Sequence, residues 1–288
     1  MQTAEYSFIK TNEHLGKYVI LLGLAGSYSY GTDVAASDTD IRGITLNRKS
    51  DLIGLTRFEQ YVDDHTDTVI YAFNKIVTLL LNCNPNTIEL LGLKPEHYLY
   101  LNDTGRMLLD NRKLFLSKRA VSSFGGYADV QLRRLQNALA RDTFPQSEKE
   151  RHICNSVKNA MRGFNAAYKY FHEYLLGDMV SYKKFFYVLR PVLACKWIEE
   201  RKCAPPVLFD ELSDAVLEDE MKAAVRDLLA KKVNMSESDR APRIAKVDRY
   251  LEKKLAYYKA LAETMEDDCN PDWEVLEEAF REVVLGKE

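Results

Sequence analysis

The chain has 288 residues, 46 % of them hydrophobic and 29 % charged, with a formal net charge of −3; this suits a folded protein of about two domains and excludes a disordered or low-complexity chain. No apolar run reaches the roughly 18 residues that a membrane helix requires, and no cleavable leader is evident, so a soluble, cytoplasmic protein is expected. The five cysteines, Cys83, Cys154, Cys195, Cys203 and Cys269, are scattered without Cys-x-x-Cys spacing, which speaks against both a disulfide framework and a zinc site.

The first informative segment is Tyr18-Val-Ile-Leu-Leu-Gly-Leu24, a continuous apolar run that reads as a buried strand. It delivers Gly26 and Ser27 at its carboxyl end. A glycine there lets backbone approach a phosphate, and the turn amides with the Ser27 hydroxyl can donate to anionic oxygens. Tyr30, in the same turn, is counted with the nucleotide-binding residues. Eleven residues after Ser27 the segment Asp38-Thr-Asp-Ile-Arg-Gly-Ile-Thr-Leu46 begins. It reads as extended, so Asp38 and Asp40 face one side, with Arg42 as a partner of the carboxylates rather than a ligand. Paired oxygen ligands at that spacing suit magnesium, which takes one or two carboxylates plus substrate phosphates. Gly-Ser alone, or Asp-x-Asp alone, is common in linkers and turns; the strand, the turn and the two acids together predict a nucleotide site.

Further on, Asp63, Asp64 and Asp67 precede the apolar Val69-Ile-Tyr71, a short strand running into a helix over Phe73–Leu81. Asn84-Pro85 reads as a helix start with Asn84 as cap, and a site role for Asn86 or Glu89 is the lesser reading. Organisation changes near residue 115. A mixed-sheet domain with helices is expected over residues 1–115 and an all-helical domain over 116–288, an α+β architecture. Helices are expected over Ser117–Arg141, Ser147–Leu176, Ser181–Lys202, Asp210–Lys232, Ala241–Met265 and Pro271–Leu285, with breaks at Pro145, Gly177, Pro205-Pro206 and Ser236–Asp239.

The net charge hides an uneven distribution: residues 116–202 hold 16 Lys or Arg against 8 Asp or Glu, whereas 203–288 hold 13 against 21. The basic stretch can neutralise triphosphate or polynucleotide, or form solvated helix faces balanced by the acidic tail. Within it Lys183, Lys184 and Arg190 are the candidate phosphate ligands, while Phe185 and Phe186 at helical spacing read as core. Pro191 is expected to kink that helix and point Arg190 into a cleft.

Gly26-Ser27 followed by Ser37-Asp-Thr-Asp-Ile-Arg-Gly43 resembles the signature of the DNA polymerase beta nucleotidyltransferase superfamily. Asp67–Lys75, Asn84–Leu91 and Tyr182–Trp197 extend the resemblance over nearly the whole chain, to the RNA-ligase-associated and YcgL-type predicted nucleotidyltransferases. The resemblance implies a third carboxylate on a neighbouring strand, for which Asp67 is chosen and Asp64 is the alternative. It implies two magnesium or manganese ions on Asp38, Asp40 and Asp67, and transfer of a nucleoside monophosphate from an NTP such as ATP to an acceptor hydroxyl with release of pyrophosphate. RNA repair context makes an RNA end the expected acceptor. A protein hydroxyl, as in AMPylation, is the alternative, and a non-catalytic nucleotide- or RNA-binding module a third reading.

Overall fold

The computed structural model describes residues 6–35, 37–53, 55, 57–117, 119–142, 179–180, 182–233, 241–242, 244–265, 274, 277–278 and 280–282. The chain divides into two compact units. The first comprises Met1–Phe124, Leu193–Leu217 and Tyr258–Glu288, the second Gly125–Val192 and Glu218–Tyr257.

The first unit is built on a five-stranded mixed sheet. In chain order come a short helix α1 (Phe8–Thr11), β1 (Val19–Leu24), α2 (Gly26–Tyr30), β2 (Ile41–Thr45), α3 (Lys49–Ile53), β3 (Gln60–Asp63), β4 (Thr68–Ala72), α4 (Phe73–Leu81), α5 (Pro85–Leu90), β5 (Tyr98–Leu101) and α6 (Asp103–Asp110). The strand order is β3-β4-β2-β1-β5. Strand β2 is central; β1, interior beside it, runs antiparallel to both β2 and β5, while β2 pairs parallel with β4, Ile41 opposite Thr68 and Thr45 opposite Ala72. A parallel pair needs a crossover, here α3 and the antiparallel strand β3, which forms a hairpin with β4.

The sequence explains the layering. Val19, Ile20, Leu21 and Leu22 are all buried, on both faces of β1, as a continuous apolar run demands of an interior strand. Leu15, Val19, Leu22, Ile41 and Ile70 form a core on one face, with Phe8 and Tyr61 packed against it, their rings stacked at 5.0 Å. Gly43 lets β2 sit close to β1, since a Cβ there would lie 2.5 Å from a Leu22 methyl and 2.8 Å from the Leu21 carbonyl. The predicted start at Asn84-Pro85 holds: Asn84 precedes α5 and Pro85 opens it. Asn84 does not cap through its side chain; its carbonyl accepts from Thr87 and Ile88.

The described part of the C-terminal region is helical: α7 (Arg119–Asp142), α8 (Tyr182–Arg201), α9 (Phe209–Val216), α10 (Asp219–Val233) and α11 (Ala245–Thr264), with a two-stranded ribbon of Met179–Val180 (β6) and Ala241–Pro242 (β7). The helix expected over Ser147–Leu176 lies outside the described residues. The single helix expected over Asp210–Lys232 is two. It breaks at Leu217, whose backbone turns extended at ψ 134°, and Asp219 and Glu220 open a second helix with acidic side chains in its first turn, where the helix dipole favours them. No helix among the described residues is long and apolar enough to cross a membrane. Among the described cysteines, Cys83 and Cys195 are buried free thiols and Cys203 is exposed.

Candidate active site

Strand β1 ends at the turn where the acids of β2 begin. The Ala25 N–H donates to the Asp40 carbonyl at 2.9 Å, one step beyond the Leu24–Ile41 pair, and the chain then enters α2 through Gly26 at φ +60°. A Cβ at Gly26 would fall 1.8 Å from Asp40 Oδ2 and 2.9 Å from its Cγ. Two demands therefore coincide on this residue: a left-handed backbone, and the absence of a side chain against which the Asp40 carboxylate can pack. The turn is fastened from inside, with Ser29 Oγ donating to the Gly26 carbonyl at 2.9 Å and Thr32 N–H to the Ser27 carbonyl at 3.0 Å. Ser27 itself is buried.

Asp38 is exposed and Asp40 half-buried. The strand begins only at Ile41, so the two acids sit in the connection leading into β2 rather than within it as expected. The reason is local: Ser37 folds back on Val34, donating its N–H to the Val34 carbonyl at 2.8 Å and accepting the Val34 N–H on its hydroxyl at 2.9 Å. This turn fixes the loop ahead of Asp38 without using either carboxylate.

Asp67 is brought to the same edge by the parallel pairing of β2 and β4. Its carbonyl accepts the Ile41 N–H at 3.1 Å, and its φ of +42° is a left-handed conformation in which aspartate is among the better-tolerated non-glycine residues. Arg42 grips it twice, Nη1 donating to the Asp67 carbonyl at 2.5 Å and Nη2 to Oδ1 at 2.9 Å. Arg42 is thus a partner of a carboxylate, and the carboxylate is that of Asp67, whose side chain stays 57 % exposed. Asp64 is exposed in the β3–β4 turn, beside an Asp63 occupied by Thr66.

Oxygen donors at Asp38 and at Asp40, which is seated against Gly26, fit a magnesium or manganese ion in chemistry. Among the described residues no three His, Cys, Asp or Glu side chains converge as a ready metal cage, in keeping with the Asp67 carboxylate being turned to Arg42.

The remaining candidates lie elsewhere. Tyr30, at the end of α2, donates its hydroxyl to Glu89 Oε2 of α5 at 2.8 Å, which ties the Gly26-Ser27 turn to the Asn84–Leu91 segment. Nothing local in the sequence signals that bond, whose partners are 59 residues apart. Lys183 and Lys184 fall in the first turn of α8, in the second unit. Arg190, expected in a cleft, is buried at 3 % exposure in that unit, and α8 continues through Pro191. Phe185 and Phe186 are buried, as their spacing predicts.

Comparison with known proteins follows the same lines. The profile of the RNA repair pathway DNA polymerase beta family, RlaP, matches residues 2–282. YcgL of Bacillus subtilis (strain 168), an uncharacterized protein, is 25 % identical over 251 residues, 85 % of this chain and 82 % of its own length. A nucleotidyltransferase-like protein from Exiguobacterium sibiricum 255-15, of known crystal structure, aligns over 89 % of this chain and 72 % of that one, at 12 % identity and a TM-score of 0.30.

Proposed function

Since the chain belongs to the RNA repair pathway DNA polymerase beta family, we propose that it transfers a nucleoside monophosphate from an NTP to a hydroxyl at an RNA end and releases pyrophosphate. The observation that carries this reading is the Gly26–Asp40 contact, which sets a phosphate-binding turn directly against a carboxylate. In the reaction the acceptor oxygen forms a bond to the α-phosphorus, the bond from that phosphorus to the bridging oxygen breaks, and the electron pair leaves with pyrophosphate.

The residues divide the work. The amides of the turn at Gly26 and Ser27 donate to the outer phosphate oxygens, and Tyr30, held by Glu89, keeps that turn in place. Asp38, Asp40 and Asp67 would hold the divalent cations, the Asp67 carboxylate being held by Arg42 in this structure. Two magnesium or manganese ions bound there supply charge neutralisation of the triphosphate and Lewis-acid polarisation at the α-phosphate. Asp67 would stand nearest the acceptor hydroxyl and take up the proton that this hydroxyl loses as its oxygen bonds to phosphorus. Lys183 and Lys184 complete the neutralisation of phosphate charge. Buried Arg190 is a weaker candidate for that part, because a guanidinium at 3 % exposure reaches phosphate only if helix α8 shifts.

The test incubates the protein and magnesium with each α-labelled ribonucleoside triphosphate and a mixed RNA pool, resolving RNA and protein on one gel beside an Asp38→Ala, Asp40→Ala control. Label on RNA that the control lacks is expected. Label on polypeptide instead, or equal labelling by the control, overturns the reading.

A further inference from the structure

Helix α11 has two unlike faces. Val247, Leu251 and Leu255, four residues apart, are buried and account for the helix's place in the fold. On another face Lys246, Arg249, Tyr250, Lys253, Lys254 and Tyr257 recur at spacings of three and four, which makes one stripe. That stripe and the start of α10 line an open cleft of about 470 Å³, and all of its residues belong to the second unit.

The two acids of the cleft are unequal. Glu218 is engaged on both oxygens, accepting from Lys254 Nζ at 2.6 Å and from the Tyr250 hydroxyl at 2.5 Å. Burial, with Glu218 adding to it, pushes the Tyr250 phenol up, so the hydroxyl remains a neutral donor. The Glu220 carbonyl accepts from Lys246, and its carboxylate lies near enough to Tyr250 to add to the rise of that phenol. Four cations thus face two carboxylates. Arg249 and Lys253 are exposed; Arg249 uses only Nε, on the Ala245 carbonyl at 3.1 Å, and Lys253 has no ion pair among the described residues. Tyr257 is 48 % exposed.

We infer that this cleft binds the phosphate backbone of single-stranded RNA, with Arg249 and Lys253 on phosphates and Tyr257 stacked on a base. The inference rests on the RNA-acceptor reading above and locates where the acceptor strand is held. From Lys246 to Tyr257 the stripe runs about 16 Å along the helix at the α-helical rise of about 1.5 Å per residue, longer than one phosphate group needs and suited to consecutive phosphates. Interleaved cations and an exposed aromatic ring are the means by which proteins hold unpaired strands.

The experiment measures anisotropy of a labelled single-stranded RNA of about 12 nucleotides with the full chain, without NTP, across about 50–200 mM salt. Arg249→Gln with Lys253→Gln should weaken binding about tenfold at low salt and flatten the slope of log affinity against log salt by about 1.4, two single-strand phosphate contacts. Tyr257→Ala should weaken binding about fivefold with the slope unchanged. Lys259→Gln, an exposed cation on the same helix off this face, serves as the control. Wild-type affinity and slope in the double variant, an equal loss in the control, or displacement of the RNA by free tripolyphosphate at equal phosphate concentration would each overturn the inference. Because no transfer is measured, cleft-dependent RNA binding in a protein that labels no RNA keeps this inference and removes the proposed reaction.

Discussion

Strand β2 has an arginine–aspartate pair near each end, and the two pairs leave very different amounts of the carboxylate available. Beyond its C-terminal end Asp51, 5 % exposed, accepts from Arg48 Nε and Nη2, from the Arg48 amide and from the His14 ring. Burial works to raise this carboxyl, but the Arg48 and His14 contacts outweigh it and hold it below the usual aspartate range. The His14 ring is itself stacked on Phe58, 3.9 Å between centroids. At the other end Arg42 makes one side-chain bond to an Asp67 carboxylate that stays largely exposed, and Asp38 and Asp40 stand beside it in the loop. The carboxylate at the closed end is buried and bonded on both oxygens, whereas Asp38 and Asp67 at the other end stay exposed to solvent.

Breaking the open end has the largest expected effect. Asp40→Asn removes a cation ligand worth several kcal/mol in the transition state, so transfer falls on the order of 10³-fold, while the melting temperature holds or rises. Arg42→Gln removes both bonds that position Asp67, to its carbonyl and to its Oδ1. As a positioning residue it should cost about 10- to 100-fold in transfer, and a pH–rate profile shifted from wild type separates that role from a purely structural one. Asp51→Asn makes the opposite prediction: transfer rates near wild type, and a melting temperature several degrees lower at neutral pH. Because the native Asp51 carboxyl is depressed, its stabilisation is present above the ordinary aspartate range and is lost as pH falls through the native value. Thermal melts in acid should therefore show the variant and wild type converging. Tyr30→Phe is the mildest change, removing the hydroxyl's bond to Glu89 and costing about threefold in KM for NTP, in line with one lost hydrogen bond of about 0.5–1.5 kcal/mol.

The open end was legible in the sequence because its parts are close together: the apolar run into Gly26-Ser27, then Asp38 and Asp40, occupy one short stretch, and local geometry dictates the rest. Strand β4 and helix α4 are likewise readable from the alternation at Thr68–Ala72 and the apolar spacing after Phe73. The closed end was legible only in part: Arg48 and Asp51 are three residues apart, but His14 on Asp51 and Glu13, which accepts from Arg48 Nη1 at 2.7 Å, come from a distant stretch of chain. The same holds for the contact of Tyr30 with Glu89. The break at Leu217 was missed because Leu-Glu-Asp-Glu reads equally as helix interior or as a new helix start, and only the packing of Val216 and Leu217 into the core chooses.

The division of the first unit among three stretches of chain has a consequence for biosynthesis. Phe280 stacks on Phe73 at 5.7 Å, Glu211 pairs with Lys94 at 2.5 Å, and a Leu208 methyl lies 3.2 Å from where a side chain on Gly31, just after α2, would begin. These partners are translated long after the sheet they rest on. The N-terminal sheet therefore emerges before its covering, and a product truncated ahead of these partners cannot complete the packing of this unit.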